Sequence, residues 1–263
     1  MSNLVVKFYS RYELTEKDLE EMHLVFRKYY LNAEMNTFKN DLDKKNGVFL
    51  LRDKSTDNIV GFSTILEMRM RINGKKVLGF FSGDTIVEEQ YWGNNPLTGE
   101  IVKYFVKKLF LHPFTPIYWF LISKGYKTYL LLANNFLQYY PCHNRENKHL
   151  EDIAVGYSTY LFNDYFDKKK KIIDFGANYQ ALKGGVAEIT AEMCSKYPKI
   201  AFFNEKNPTW DRGTELPCVG VLNWPVILNK IFVKPLKKPL KVFFSSFSHG
   251  KTPRRLASQR KAM

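Results

Sequence analysis

The chain has 263 residues, 45% of them apolar and 25% charged, ordinary globular usage with enough apolar material for a sizeable core. Net charge is +14, but residues 234–263 hold nine Lys or Arg and no Asp or Glu, so the first 233 residues carry only +5. Three widely spaced cysteines fit neither a disulfide framework nor a zinc motif. Residues 1–10 lack a signal-peptide pattern, and the most apolar stretch, 109–122, is too short and too broken by His112, Pro113 and Pro116 to span a bilayer. A cytoplasmic setting is the expectation.

Residues 4–9 alternate weakly and are expected to form a first strand. Thr15 has the character of an N-cap, with Glu16 and Asp18 placed to favour the helix dipole. Leu19, Met22, Phe26 and Tyr29 follow at helical spacing, and a second short helix is expected over 33–44. Residues 47–51 read as a strand, 54–58 as a turn, and 59–72 as a longer strand. Its far half sets Met68, Met70 and Ile72 against Arg69 and Arg71. Asn73-Gly74 signals a hairpin, because both central residues of a type I′ turn take positive φ. Residues 77–87 return as its partner. The polar stretch from Glu88 to Pro96 opens a helix over 97–111, with Pro96 suited to the first turn.

Residues 117–122 read as a buried strand broken at Lys124-Gly125, and 126–136 as a helix ended by the run from Gln138 to Pro141. Further helices are expected over 150–166 and 187–197, and strands over 199–204 and 217–223. Aromatic residues make up 16% of the chain, which suits a ring-rich core or a wide apolar slot for a lipid tail.

This order (strand, helices, three-strand meander, loop, helix, strand, helix) resembles the GNAT superfamily of acyl-CoA N-acyltransferases. The match is sharpest from Gly83 to Pro96, where that family has Gln/Arg-x-x-Gly-x-Gly/Ala opening a helix. Gln90 and Gly93 fit, Asn95 stands where Gly or Ala is usual, and Pro96 follows at once. Over residues 4–140 the resemblance is good; beyond them it falters. It implies an α/β fold with a mixed, mostly antiparallel, twisted central sheet flanked by helices over residues 1–235. A helical insertion at about 141–198 would precede the last strands, and 236–263 would be a basic tail.

The resemblance also implies a donor site for coenzyme A, acyl-CoA, or the phosphopantetheine arm of an acyl carrier protein. A helix N-terminus presents unpaired N–H groups and a positive dipole end to phosphate, and a glycine such as Gly93 lets backbone approach closely. Ile86, Val87, Gln90, Tyr91, Trp92, Gly93, Asn94 and Asn95 are the expected donor-binding residues. The Val87 amide would face the thioester oxygen and stabilise its developing negative charge. Tyr139 or Tyr140 would protonate the leaving thiolate, and an amine on a small molecule or protein would attack directly. Pro96 removes one amide donor and Asn95 narrows the space, a better fit to a single phosphodiester than to a pyrophosphate. The basic surface fits an acidic carrier protein, and similar enzymes include N-acyl amino acid synthases and acyl-homoserine lactone synthases.

Read without the resemblance, Asp84 is a candidate general base or a group satisfying strand-end amides, with Glu67 and Glu88 as weaker carboxylates. Arg212 and Trp210, in a polar loop before a strand, are candidates for substrate binding or for a structural ion pair. Cys142-His143 offers a nucleophile and base adjacent in sequence only. His143, His149, Glu146 and Asp152 fit no common zinc spacing, so no metal is expected. Gly184-Gly185 reads as a turn. Two rival readings are a module that binds acyl thioesters without catalysis, and a nucleic-acid or membrane-associated protein acting through the tail. That tail also suits contact with an anionic membrane.

Overall fold

The computed structural model describes residues 3–30, 33–92, 96–176 and 188–229. Strand β1 (Leu4–Ser10) leads through a short 3-10 turn to helices α1 (Glu16–Tyr29) and α2 (Met35–Leu42). Thr15 caps α1: its side chain accepts from the Asp18 amide and the Asp18 carboxylate answers from the Thr15 amide, a reciprocal capping box. Strands β2 (Gly47–Asp53), β3 (Ile59–Ile72) and β4 (Lys75–Val87) form the meander. Asn73 and Gly74 turn the hairpin with φ of 49° and 77°, as the Asn-Gly pair requires.

Helix α3 (Leu97–Leu111), strand β5 (Ile117–Ser123), helix α4 (Tyr126–Asn135) and the two-residue strand β6 (Tyr139–Tyr140) follow. Helix α5 (Lys148–Phe162) leads into a small hairpin of β7 (Phe166–Asp167) and β8 (Ile172–Ile173). Then come α6 (Ala191–Lys196), α7 (Pro198–Lys206), β9 (Leu216–Leu222) and α8 (Trp224–Leu228).

Seven strands form one sheet in the order β1-β2-β3-β4-β5-β9-β6. Every pairing is antiparallel except β4 with β5, so the fold is a mixed α/β structure on a mostly antiparallel sheet. Strand β9 inserts between β5 and β6, so of the two late strands expected at 199–204 and 217–223 only the second joins the sheet. Alternate residues of each strand supply opposite faces. Leu78 and Phe80 join the core under α3, with Phe105 and Leu109. Phe81, Phe120 and Val219 pack beneath Ile153 and Tyr157 of α5. Phe62 and Ile86 pack against Met22 and Phe26 of α1, while Leu121 and Cys218 meet Tyr129 and Leu132 of α4.

Two expected elements differ. Residues 199–204 belong to helix α7, whose Ile200 and Phe203 are buried three apart while Pro198 starts its first turn. A short apolar run carries no period of its own, and the surface offered by α4 decided between helix and strand. Tyr139 and Tyr140, expected as a helix end, form β6 on the outer edge of β9, opposite Gly220 and Val219.

Candidate active site

The parallel register of β4 with β5 runs only from Leu78 opposite Ile117 to Phe81 opposite Phe120. Beyond that point β4 continues to Val87 beside β3, while Leu121, Ile122 and Ser123 of β5 pair with β9. The two strands part, and a wedge opens in the middle of the sheet. Trp119 and Phe136 stand at its apex: the Trp119 indole donates to Ser82 Oγ at 2.8 Å, and the two rings lie 5.3 Å apart.

Strand β4 is bulged at the start of the wedge. Ser82 faces Ile65 and Thr85 faces Ser63, so Gly83 and Asp84 together oppose Thr64 alone. A bulge of this kind bends the strand and re-aims its side chains. Gly83 is needed here, because an added Cβ would lie 2.6 Å from Thr64 Oγ1 and 3.1 Å from Lys45 Cε.

The backbone of β4 past the bulge presents polar groups to the wedge. The Glu88 amide donates to the Val60 carbonyl at 2.9 Å, which makes Gly61 and Val87 a pair without direct hydrogen bonds. The N–H and C=O of Val87, and by the two-residue alternation those of Thr85, therefore turn toward the edge that β5 has left. The Val87 carbonyl accepts from the Trp92 indole at 2.6 Å. Side chains of Ile86 and Val87 are buried in opposite cores, which leaves the main chain as their contribution to the wedge.

Asp84 carries the unusual charge of the site. Burial raises its carboxyl from the ordinary 3.8 to about 6; repulsion from Asp41 and Glu215 adds to the rise, and Lys45 and Lys124 oppose it. Both cations are engaged elsewhere: Lys45 Nζ lies 2.9 Å from Asp41, and Lys124 Nζ 3.3 Å from Glu215. Among the described residues, no hydrogen bond or ion pair reaches the Asp84 carboxylate. It is partly open to solvent, yet protein crowds it closely enough that desolvation dominates. Lys45 and Glu215 are themselves buried, and burial raises the Glu215 carboxyl, with Lys124 opposing.

Sequence reasoning named Asp84 but missed Asp41, Lys45, Lys124 and the role of Glu215. Lys124 follows β5 and Glu215 precedes β9. Only the antiparallel pairing of Ser123 with Leu216 sets them side by side.

The loop after β4 is held by its side chains. Glu89–Tyr91 form a 3-10 turn. Tyr91 donates to Asp53 Oδ2 at 2.9 Å, and Trp92 packs on the core under α3 as well as bonding Val87. Gln90 is exposed and donates to Glu88 Oε2 at 3.2 Å. Glu88 also pairs with Lys28, and these residues with Tyr29 and Glu89 line a shallow depression. Tyr91 and Trp92 are thus engaged as clamps of the turn. Gly93, Asn94 and Asn95 lie outside the described residues. Pro96 is the N-cap of α3, just ahead of the helix rather than inside its first turn.

The two tyrosines are not brought to the wedge. Tyr139 is buried with Leu121, Tyr129 and Cys218 beneath α4, and Tyr140 packs on the opposite face with Val219 and Leu150. At strand spacings of just under 5 Å, β6 lies about 14 Å from β4, three places along the sheet. Burial pushes both phenols up, and Glu151 adds to the rise at Tyr140. Tyr139 is thus held in the core beneath α4, and Tyr140 lies on the other face of the sheet.

Trp210 and Arg212 sit on a 3-10 turn ahead of β9. The Trp210 indole donates to Asn204 at 2.9 Å, and Arg212 is exposed. The His143 ring meets the Tyr139 hydroxyl at 3.4 Å, whereas the Cys142 thiol donates to Asn144 at 3.1 Å, so sulfur and imidazole form no pair. Burial raises the Cys142 thiol, but hydrogen bonds with Tyr139 and the Asn144 amide, together with Arg145, bring it below its usual value. His149 Nε2 lies 3.0 Å from the Tyr118 hydroxyl, and Asp152 accepts from Asn73. Among the described residues no three His, Cys, Asp or Glu side chains gather as metal ligands, and no helix is long and apolar enough to cross a membrane. Gly184-Gly185 and residues 236–263 lie outside the described residues.

No protein-family model matches the sequence, and no curated protein does. Solved structures similar to part of the chain include a probable N-acyltransferase from Enterococcus faecalis V583, 12% identical, with a TM-score of 0.37 over 50% of this chain and 33% of that one. A GNAT family N-acetyltransferase of Escherichia coli in complex with CoA is 8% identical, with a TM-score of 0.34 over 46% of this chain and 63% of that one. Arabidopsis thaliana NAA60, in complex with a bisubstrate analogue, is 15% identical, with a TM-score of 0.37 over 51% of this chain and 86% of that one. The match spans a third of the first protein's length and under two thirds of the second's.

Proposed function

We propose that this chain is an N-acyltransferase, moving an acyl group from a coenzyme A or carrier-protein thioester to an amine by direct attack. The observation that carries this reading is the wedge between β4 and β5, with the outward-turned backbone of Thr85 and Val87 on one side and the unpaired Asp84 carboxylate at the bulge. An extended pantetheine arm carries amide groups that match such a strand edge, much as a peptide adds to a sheet.

In the reaction the amine nitrogen attacks the thioester carbonyl carbon. The carbonyl oxygen takes up the electron pair and is met by main-chain N–H of β4. Collapse breaks the carbon–sulfur bond, the amide forms, and the thiolate leaves. Asp84 accepts the proton released by the amine; a carboxyl poised at about 6 is ionised at neutral pH and basic enough to take it. Direct transfer asks mainly for positioning, which suits a site with an unpaired carboxylate and the main-chain donors of Thr85 and Val87.

The loop from Gln90 to Asn95 at the start of α3 is proposed to take the donor's phosphate through main-chain amides. Of its side chains, Tyr91 and Trp92 are engaged as clamps. A carrier-protein donor, a long acyl chain, a cytoplasmic location, acceptor contacts by Trp210 and Arg212, and attraction of the 236–263 tail to an anionic membrane remain part of the proposal. Support for the last is the tail's charge, nine cations without an acid over residues 234–263.

Thermal unfolding with acyl-CoA esters of graded length tests the reading. A ligand that binds only the native state raises the transition, by about 2.7 kcal/mol at a hundredfold excess over Kd. Gly93→Trp should abolish the rise. No shift with any thioester, free or carried, would overturn the assignment.

A further inference from the structure

Among the described residues, several exposed apolar side chains gather at one end of the fold. The C-terminal end of α3 exposes Phe110 at 69% and Leu111 at 59%, and the loop after it exposes Phe114 at 97%. Trp224 of α8 packs edge-on against Phe110, with ring centroids 4.7 Å apart. Leu228, one helical turn beyond Trp224, is 47% exposed. Five large apolar side chains thus share one end of the fold, more than isolated surface residues explain.

Cations outnumber acids around this end, although Lys103 is paired with Glu100 and Asp152 accepts from Asn73 in the adjoining hairpin. Lys103 and Lys107 are exposed on α3 at four-residue spacing that continues to Leu111, and Lys75 and Lys76 are exposed at the start of β4. The chain leaves α8 one residue past Leu228 into residues 230–263, which hold ten Lys or Arg, four Phe and no Asp or Glu. An acidic helix or a buried protein core would pair with one half of this pattern. Aromatic side chains at the surface of a basic field match a lipid interface with anionic head groups on both counts, since rings settle at head-group depth and each nearby cation adds attraction.

We propose that the end of the fold built from Phe110, Leu111, Phe114, Trp224 and Leu228 docks on an anionic lipid bilayer. This extends the tail contact proposed above by giving it a partner in the folded domain, and it does not depend on acyl transfer. Lys107, Lys75 and Lys76 then face the head groups, and the five apolar side chains enter the interface.

Co-sedimentation of the full chain with vesicles of phosphatidylcholine, with and without phosphatidylserine, tests it. The expected result is binding to the anionic vesicles alone, weakening as salt is raised. The double variant Leu111→Ser, Phe114→Ser adds no charge and alters two exposed side chains; it should weaken binding about tenfold or more. Changing Lys237, Lys238 and Lys241 to Gln should weaken it independently. Three outcomes would overturn the docking surface: no binding to anionic vesicles; loss with the lysine variant but none with the serine variant, which leaves the tail contact alone; or light scattering showing a dimer, free of lipid, that the serine variant dissociates.

Discussion

Replacing Asp84 with Asn should make the protein more stable and less active at once. The carboxyl is raised from 3.8 to about 6 in the fold, chiefly because burial penalises its charge. An acid with a higher pKa folded than unfolded binds more protons in the native state between those values, so stability falls as pH rises through that window and stays low above it. At neutral pH the ionised side chain therefore costs the fold up to about 3 kcal/mol, two pKa units at 1.36 each, and about 1–3 after allowance for its partial contact with water.

Asn removes the charge at similar volume. The expected gain at pH 7 is about 1–3 kcal/mol, a rise of roughly 2–10 °C in Tm. Near pH 4 Asp84 is protonated in the fold, and the gain should shrink toward zero. Acyl transfer should fall by about 10²–10⁴, the usual contribution of a positioned base, and the wild-type kcat/KM should climb as pH passes about 6 and then level. Scanning both proteins by calorimetry at the two pH values checks the linkage. A variant that is less stable at pH 7, or equally stabilised at both, would refute the account of Asp84 as an unpaired, desolvated carboxylate.

Two packing predictions accompany it. The Tyr157 hydroxyl is buried without a hydrogen-bond partner, so Tyr157→Phe should raise stability by about 1 kcal/mol in a denaturant titration, and a loss would mean an unseen partner. Gly79 lies flat under that ring, where an added Cβ would sit 2.5 Å from Tyr157 Oη; Gly79→Ala should cost about 1–3 kcal/mol in the same titration, and an unchanged midpoint would show that the ring is free to move.

Local signals account for much of the first half of the chain. The Thr15 cap, the Asn73-Gly74 hairpin, β3 at Ile59–Ile72 and α3 at Leu97–Leu111 all follow from side chains within a few residues of each other. The Gln-x-x-Gly pattern after β4 and the candidacy of Asp84 were legible for the same reason. Residues 199–204 and Tyr139–Tyr140 were misassigned because a short apolar or aromatic run fits helix or strand until a neighbour accepts it. The clamping of Tyr91 by Asp53, 38 positions away, and the placing of Tyr139 three strands from β4 depend on contacts that sequence spacing does not contain.

What the chain determines by itself is which segments turn, cap and alternate, because those choices are settled by bonded geometry and neighbours one turn away. What only the folded sheet decided is the electrostatics at the wedge. Asp84 stays unpaired because Asp41 of α2 holds Lys45 from the turn that follows and the β5–β9 pairing gives Lys124 to Glu215, and its charge is costly because several elements exclude water around it together.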